Sequence, residues 1–311
     1  GVPDGEGEHP KQVVGRVLRD LQAAVAGEVG GKARMLPVTV QVVDGDRGKT
    51  RRFELRVAQI RELLPALTGM SVLTAIDETR GRISRGTARV MVDLEVEGRP
   101  ALRREEIAYS DGDAALAAVP AVVRPLATFI DSPFGKLRFQ RLRVRVEAQE
   151  ERRTATIERA TLPQARIKAG EEVTLAVTLR PYGRELAEVP VRLKVPADLP
   201  RSTLRVVISG GAESEEARSS IGAPRPAPVS LAQVIERYLT QDPRQYLVVQ
   251  AALPRVGAAM LGEELPDFPR GALEALRTTH ATDLRPATPV LKVTVPTQWI
   301  LSGRQTVTLQ V

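Results

Sequence analysis

Valine and leucine alternating with polar residues, in short runs broken by turn clusters, is the feature that most limits how this chain folds. Leu36–Val43 places Val38, Val40 and Val42 on one side of an extended chain. Arg52–Val57 returns with Phe53, Leu55 and Val57 on one face. A period of two demands a strand with one buried face. Asp44-Gly-Asp-Arg-Gly48 between the runs supplies turn chemistry, so the pair reads as a hairpin. Aromatic residues make up only 3% of the 311, so the cores must be built from Val, Leu, Ile and Ala.

The same pattern recurs with helices interposed. Ile60, Leu63, Leu64, Leu67, Met70 and Ile76 fall at helical steps and predict one buried helix face, with Pro65 kinking the first turn. Arg82–Glu97 reads as a strand, with Val90, Val92 (or Met91), Leu94 and Val96 alternating. Gly98-Arg-Pro100 turns it into Ala101–Ala108. Ser110-Asp-Gly-Asp113 offers a cap to a helix over Ala114–Ile130, which Pro120 and Pro125 must kink or split. Lys136–Ala148 is a long strand whose apolar parity changes between Phe139 and Leu142, as a β-bulge at Gln140/Arg141 would produce. Val13–Val29 has helical spacing at Val13, Val17, Leu21 and Val25. Gly15, Gly27, Gly30 and Gly31 punctuate it, however, and with Asp20 in a turn it leans towards two strands.

From Thr154 the texture is all-β. Ala155–Ile157, Val173–Leu179, Val189–Val195 and Leu204–Ile208 are short strands at regular spacing. Gly210–Pro228 reads as an exposed linker. Ser230 caps a helix with Leu231, Val234, Ile235 and Leu239 on one face. Tyr246–Leu253 is a strand, Pro269–Thr278 a short helix, and Val290–Val295 and Thr306–Val311 are closing strands. The fold class is α+β: a mixed N-terminal unit, then a β-sandwich-like (Ig-like) unit with a helical insertion. The divisions are a flexible start with strands over 1–30, an α+β domain over 31–147 and a sandwich domain over 148–212. A linker over 213–229 and a segment over 230–311 follow, the latter's last strands completing the sandwich.

The chemistry available is narrow. Without cysteine, thiol catalysis, thiolate zinc sites and iron–sulfur clusters are excluded. A histidine-based triad must use His9, before a proline near the start, or His280, with Asp283 three residues on. There is no phosphate loop, no His-Glu-x-x-His and no Gly-x-Ser-x-Gly elbow. Gly69-Met-Ser71 lies inside a helical pattern, with Val72 where a small residue would be wanted. Asp44/Asp46 and Asp111/Asp113 lack the remaining ligands of a calcium loop and read as a turn and a cap. Glu105/Glu106, Glu150/Glu151 and Glu215/Glu216 are adjacent pairs with no sign of desolvation. Trp299 and Tyr246 read as core or interface anchors. No catalytic, cofactor-binding or metal-ligating residue is assigned, and no cofactor is expected.

The net charge of +7 rests on arginine, since only seven of the 45 basic residues are lysine. GC-rich coding produces the same bias, so basicity is poor support for nucleic-acid binding. Arg138, Arg141, Arg143 and Arg145 read as a solvated strand face, without interleaved aromatics for base stacking. No apolar run is long enough to span a membrane. The chain starts with Gly1 and shows no signal peptide, as expected of a processed or excised piece.

Five blocks together resemble one family. They are Ala33-Arg-Met-Leu-Pro-Val-Thr-Val40, Asp131-Ser-Pro-Phe134, Leu179-Arg-Pro-Tyr-Gly183, Val195-Pro-Ala-Asp-Leu-Pro200, and Gly262-Glu-Glu-Leu-Pro-Asp-Phe-Pro-Arg-Gly-Ala-Leu-Glu-Ala-Leu-Arg277. In order and spacing they look like the C-terminal region of large exported bacterial proteins that carry a serine peptidase domain similar to the sporulation stage IV B peptidase. The family's Gly-Met-Ser-Gly-Ser-Pro-like and Gly-His-Pro-Phe-like segments do not occur here, so no catalytic residue carries over. The resemblance implies a periplasmic, outer-surface or extracellular setting. It implies a non-catalytic region acting in protein–protein association or scaffolding, with a peptidase domain of its own protein or another copy as partner. Two alternatives stay open: a cleaved structural part of a working serine peptidase whose Ser and His lie on an N-terminal fragment, and a polyanion-binding module.

Overall fold

The computed structural model describes the backbone of residues 15–21 and 24–29, and residues 34–81, 83–255, 257–266 and 284–311 in full. It is mixed α and β with several sheets. Gly15–Leu21 (β1) and Ala24–Val29 (β2) form an antiparallel pair, as the strand reading expected. Asp20 is not in the turn. It pairs with Val25 inside the ladder, whose last pair is Leu21 with Ala24.

The first large sheet contains Met35–Asp44 (β3), Lys49–Ala58 (β4), Gly86–Val96 (β5), Leu102–Ser110 (β6) and Phe139–Gln149 (β7). Its order is β4-β3-β7-β5-β6, with β3 and β7 parallel and the other neighbours antiparallel. Leu36, Val38, Val40 and Val42 of β3 share a core with Val90, Val92 and Leu94 of β5 and Leu142, Val144 and Val146 of β7. Glu95 pairs with Arg141 and Val96 with Phe139, so Gln140 is the extra residue of a bulge, and Phe139 and Leu142 are both buried.

Three helices cover one side of this sheet: Leu64–Arg80 (α1), Ala114–Ala118 (α2) and Pro120–Ile130 (α3). Pro65 lies in the first turn of α1, where its missing N–H has no intrahelical partner to lose. Asp113 caps α2, its Oδ1 accepting from Ala115 N at 2.8 Å and Leu116 N at 3.2 Å. Pro120 splits the helical run at Val119, and Pro125 is absorbed within α3.

The last residue of α1 organises the far end of this unit. Arg80 is 3% exposed. Its Nη2 donates to Asp46 Oδ2 at 3.1 Å and to Ser84 Oγ at 2.9 Å, and its Nη1 is 4.0 Å from buried Asp44 Oδ1. Glu150 Oε1 is 3.9 Å away, and the Glu150 N–H donates to both oxygens of Asp46. The Asp44–Gly48 turn is therefore the acidic cradle of a buried guanidinium, a role its turn-like sequence did not suggest.

The second core lies between two four-stranded sheets. One has the order β10-β9-β8-β17, from Ala187–Lys194 (β10), Glu172–Pro181 (β9), Thr154–Thr161 (β8) and Ile300–Ser302 (β17). The other is β16-β12-β11-β18, from Val290–Pro296 (β16), Tyr246–Ala252 (β12), Thr203–Gly210 (β11) and Arg304–Gln310 (β18). Leu175, Val177 and Val191 of the first face Val206, Ile208 and Leu247 of the second in one cluster. Gly257–Met260 (β13), Glu263–Leu265 (β14) and Leu284–Ala287 (β15) make a small separate sheet that the sequence reading missed. The short helix expected at Pro269–Thr278 falls outside the described residues.

Two expectations are corrected here. The linker over 213–229 contains Ser214–Ser220 (α4), with Ala217 and Ala223 buried. A 3₁₀ turn over Gly211–Glu213 leads into it. A Cβ on Gly211 would lie 1.9 Å from Pro243 O, so the small residues there serve close packing rather than flexibility. The helix Leu231–Thr240 (α5) packs on the first core through Leu231, Val234, Ile235 and Tyr238, so the division at 230 does not separate the cores. Leu239 is exposed; the Tyr238 ring takes the inward place, edge-on to Phe129 at 5.3 Å. Replacing Arg80 with Met strands Asp44 in an apolar setting. Urea unfolding of Arg80→Met is expected to show a loss of about 3–5 kcal/mol; a change under ~1 kcal/mol would mean that the cradle does not anchor α1.

Candidate functional site

The polar residues singled out from sequence are placed in structural roles. Ser71 Oγ donates back to Leu67 O at 2.8 Å within α1. Glu105 meets Arg89 at 3.3 Å, and Glu106 meets Arg104 at 2.7 Å. Glu151 is paired with Arg153 and Arg184, Glu215 with Arg225, and Glu216 with Arg304. The hydrogen bond from Arg153 and the charge of Arg184 hold the Glu151 carboxyl below the usual range, although its own desolvation opposes them. Trp299 packs against the second core, and Tyr246 is half-buried beside it. Asp111 accepts from the Tyr109 hydroxyl and from Arg152 at 3.2 Å. His9, His280 and Asp283 lie outside the described residues. Among the described residues, no group of three His, Asp or Glu is placed to hold a metal ion.

The arginine-rich strand turns one face to solvent, as its sequence indicated, and three of its four arginines are paired there, Arg141 forming no ion pair among the described residues. Arg138 pairs with Glu97 at 3.3 Å, Arg143 with Glu95 at 2.7 Å and Arg145 with Glu147 at 2.8 Å. Arg103 of β6 adds a pair with Asp93 at 3.0 Å. A polyanion laid on this face would meet carboxylates as often as guanidinium groups. Exposed pairs of this kind contribute little stability individually, so the lattice chiefly keeps an open sheet face hydrated.

The unbalanced surface is on α1. Of the six apolar residues expected on its buried face, only Leu64 and Ile76 are buried; Ile60, Leu63, Leu67 and Met70 are exposed, Met70 by 66%. The inward face is instead Leu64, Thr68, Val72, Ala75, Ile76 and Thr79. The helix is apolar on two sides, and the stronger stripe points outward. That second face of Thr, Val and Ala was the available signal, and it was masked by the leucines. Gly69 sets the helix crossing: a Cβ there would sit 2.7 Å from Val123 Cγ2, so α1 and α3 touch backbone to side chain.

Where α1 begins, the outward stripe borders a cleft of about 210 Å³. Leu64, Phe129, Ile130 and Leu137 form its apolar lining, and Arg61 and Lys136 add cations. Arg61 Nη2 donates to Ile130 O at 2.7 Å. Gln59 closes one side, receiving no proton but giving two: its backbone N–H donates to Arg34 O at 2.8 Å and its Nε2 to Phe139 O at 3.2 Å. None of these residues has a catalytic signature, and sequence reasoning did not group them. No protein-family model, curated protein or solved structure matches the chain.

At the other end of α1, Asp77 Oδ1 is buried without a hydrogen-bond partner. Desolvation, and then the neighbouring charge of Asp113, raise its carboxyl above the ordinary value of 3.8. Its stabilising contribution is full below pH 3.8 and is lost as pH rises through the raised folded value. Asp77→Asn is therefore expected to raise the thermal midpoint at neutral pH, with the gain shrinking towards pH 3. A lowered midpoint at neutral pH would contradict this.

Proposed function

We propose that this chain is a non-catalytic accessory region that works by protein–protein association, within an exported bacterial protein of the serine-peptidase type that its sequence blocks resemble. The observation that carries the reading is the exposed stripe of Ile60 and Leu63, in the turn that leads into α1, and Leu67 and Met70, on a helix whose opposite side is packed on a core. Contiguous apolar surface of this kind favours burial against a partner. Among the described residues, the carboxylates Glu106 and Glu151 are engaged in ion pairs and Asp113 in a helix cap. We read the two-sheet unit as an immunoglobulin-like sandwich serving as a rigid spacer. The partner is a peptidase domain of the same protein or another copy of the chain, and the setting is periplasmic or extracellular.

The test is the mass of the protein from its native source, purified without denaturant. The expected result is a species heavier than 33.8 kDa that holds a second polypeptide or copy. Saturable, inhibitor-sensitive proteolysis by the isolated chain would overturn the reading. A tightly held fragment bearing a reactive serine would identify the partner as the catalytic half.

A further inference from the structure

The cleft at the start of α1 combines an apolar interior with two cations and no carboxylate in its lining. Arg61 and Lys136 line it, and the backbone of the exposed Arg34 is held next to Gln59, a lining residue, its carbonyl accepting from the Gln59 N–H. Among the described residues, none of these three cations forms an ion pair with a carboxylate. Arg61 uses one of its five N–H donors on Ile130 O, which leaves four without a partner among the described residues. Arg51, Arg52, Arg103, Arg138, Arg143 and Arg145 of the same unit face carboxylates, whereas Arg56, Arg99 and Arg141 form no ion pair among the described residues; what sets the cleft apart is that its two cations border an apolar hollow with no carboxylate in its lining.

We propose that this cleft is a docking site for a short segment of a protein partner that carries a large apolar side chain flanked by Asp or Glu. The apolar side chain enters against the half-buried Ile130 and Leu137, over a floor of the buried Leu64 and Phe129, and the carboxylates meet Arg34, Arg61 and Lys136. The stripe from Leu63 to Met70 extends the apolar contact by about two turns of helix, roughly 10 Å. Volume and charge select this occupant. A hollow of about 210 Å³ accepts one bulky side chain, whereas the flat surface of a bilayer would leave it unfilled. Unopposed guanidinium and ammonium groups steer acidic partners and reject basic ones. The inference rests on the association reading above and adds the partner's chemistry to it.

The test uses the full chain and fluorescence anisotropy. The probe is a fluorescein-labelled dodecapeptide alternating Leu or Phe with Glu or Asp, and its control replaces every acid with Lys. Saturable binding of the acidic peptide is expected, at least about tenfold tighter than the control and weakened by salt. The double variant Arg34→Glu/Lys136→Glu changes exposed side chains and should reverse that preference. Lys136→Met, which only removes charge, should weaken acidic-peptide binding by a smaller factor while leaving the melting curve unchanged. Equal affinity for the two peptides, absence of saturable binding, or indifference to the double variant would overturn the proposal. So would binding to vesicles of equal phosphatidylcholine and phosphatidylserine without binding to the acidic peptide. If the double variant still co-purifies with its native partner, the cleft assignment fails while the association reading stands.

Discussion

A guanidinium can be taken out of water only where carboxylates and hydroxyls are already waiting for it, and the position of Arg80 therefore constrains much of the first unit. The β3–β4 turn must bring Asp44 and Asp46 to the end of α1, and the chain leaving β7 must pass close enough for Glu150 to join them. One side chain thus fixes a hairpin, a helix terminus and the exit from the sheet. The other end of α1 is held by Leu64 in the core and by Gly69 against α3. A helix pinned in this way keeps its outward leucines and Met70 in place instead of rotating them inward.

The two cores are tied by contacts that cross the sequence. The chain leaves the first unit after β7, builds four of the eight strands of the second, and returns α5 to pack beside Phe129. Arg104 of β6 meets that return: its guanidinium lies 5.2 Å from the Tyr238 ring centre and donates to the carbonyls of Tyr238 and Gln241. Burial pushes the Tyr238 hydroxyl well above its ordinary range, so the ring stays neutral beneath the cation. At the outgoing crossing, Arg152 is sandwiched between Tyr109 and Tyr182, 4.9 and 4.0 Å from their ring centres. Three of the four tyrosines in the chain are spent on holding arginines at these crossings, which accounts for much of the small aromatic content.

Much of the fold was legible because strand signals are local. Val38, Val40 and Val42 declare their face within five residues, and the parity change around Gln140 was enough to place a bulge. Ser110–Asp113 and Ser230 carried their caps in the correct positions. What was not legible depends on residues distant in sequence. The stretch Gly210–Pro228 looked exposed because its glycines and serines were read as flexible, when Gly211 is needed for a close approach to Pro243. Alpha-helical spacing on α1 was correctly seen, but leucines usually face inward, and here Thr68, Val72 and Ala75 do so instead. The cleft was invisible for a related reason: its lining comes from three separate segments, around Gln59–Leu64, Phe129–Ile130 and Lys136–Phe139.

The central claim is that the outward face of α1 is covered in the working protein. Methionine oxidation reads that directly, since Met70 is 66% exposed and Met260, in the small β13–β14–β15 sheet, is 41% exposed and serves as an internal control. The isolated chain and the protein in its native-source assembly would be treated with dilute peroxide and followed by peptide mass spectrometry. The account predicts that Met70 oxidises readily in the isolated chain and is protected several-fold in the assembly, while Met260 changes little. Equal oxidation of Met70 in both preparations would contradict it.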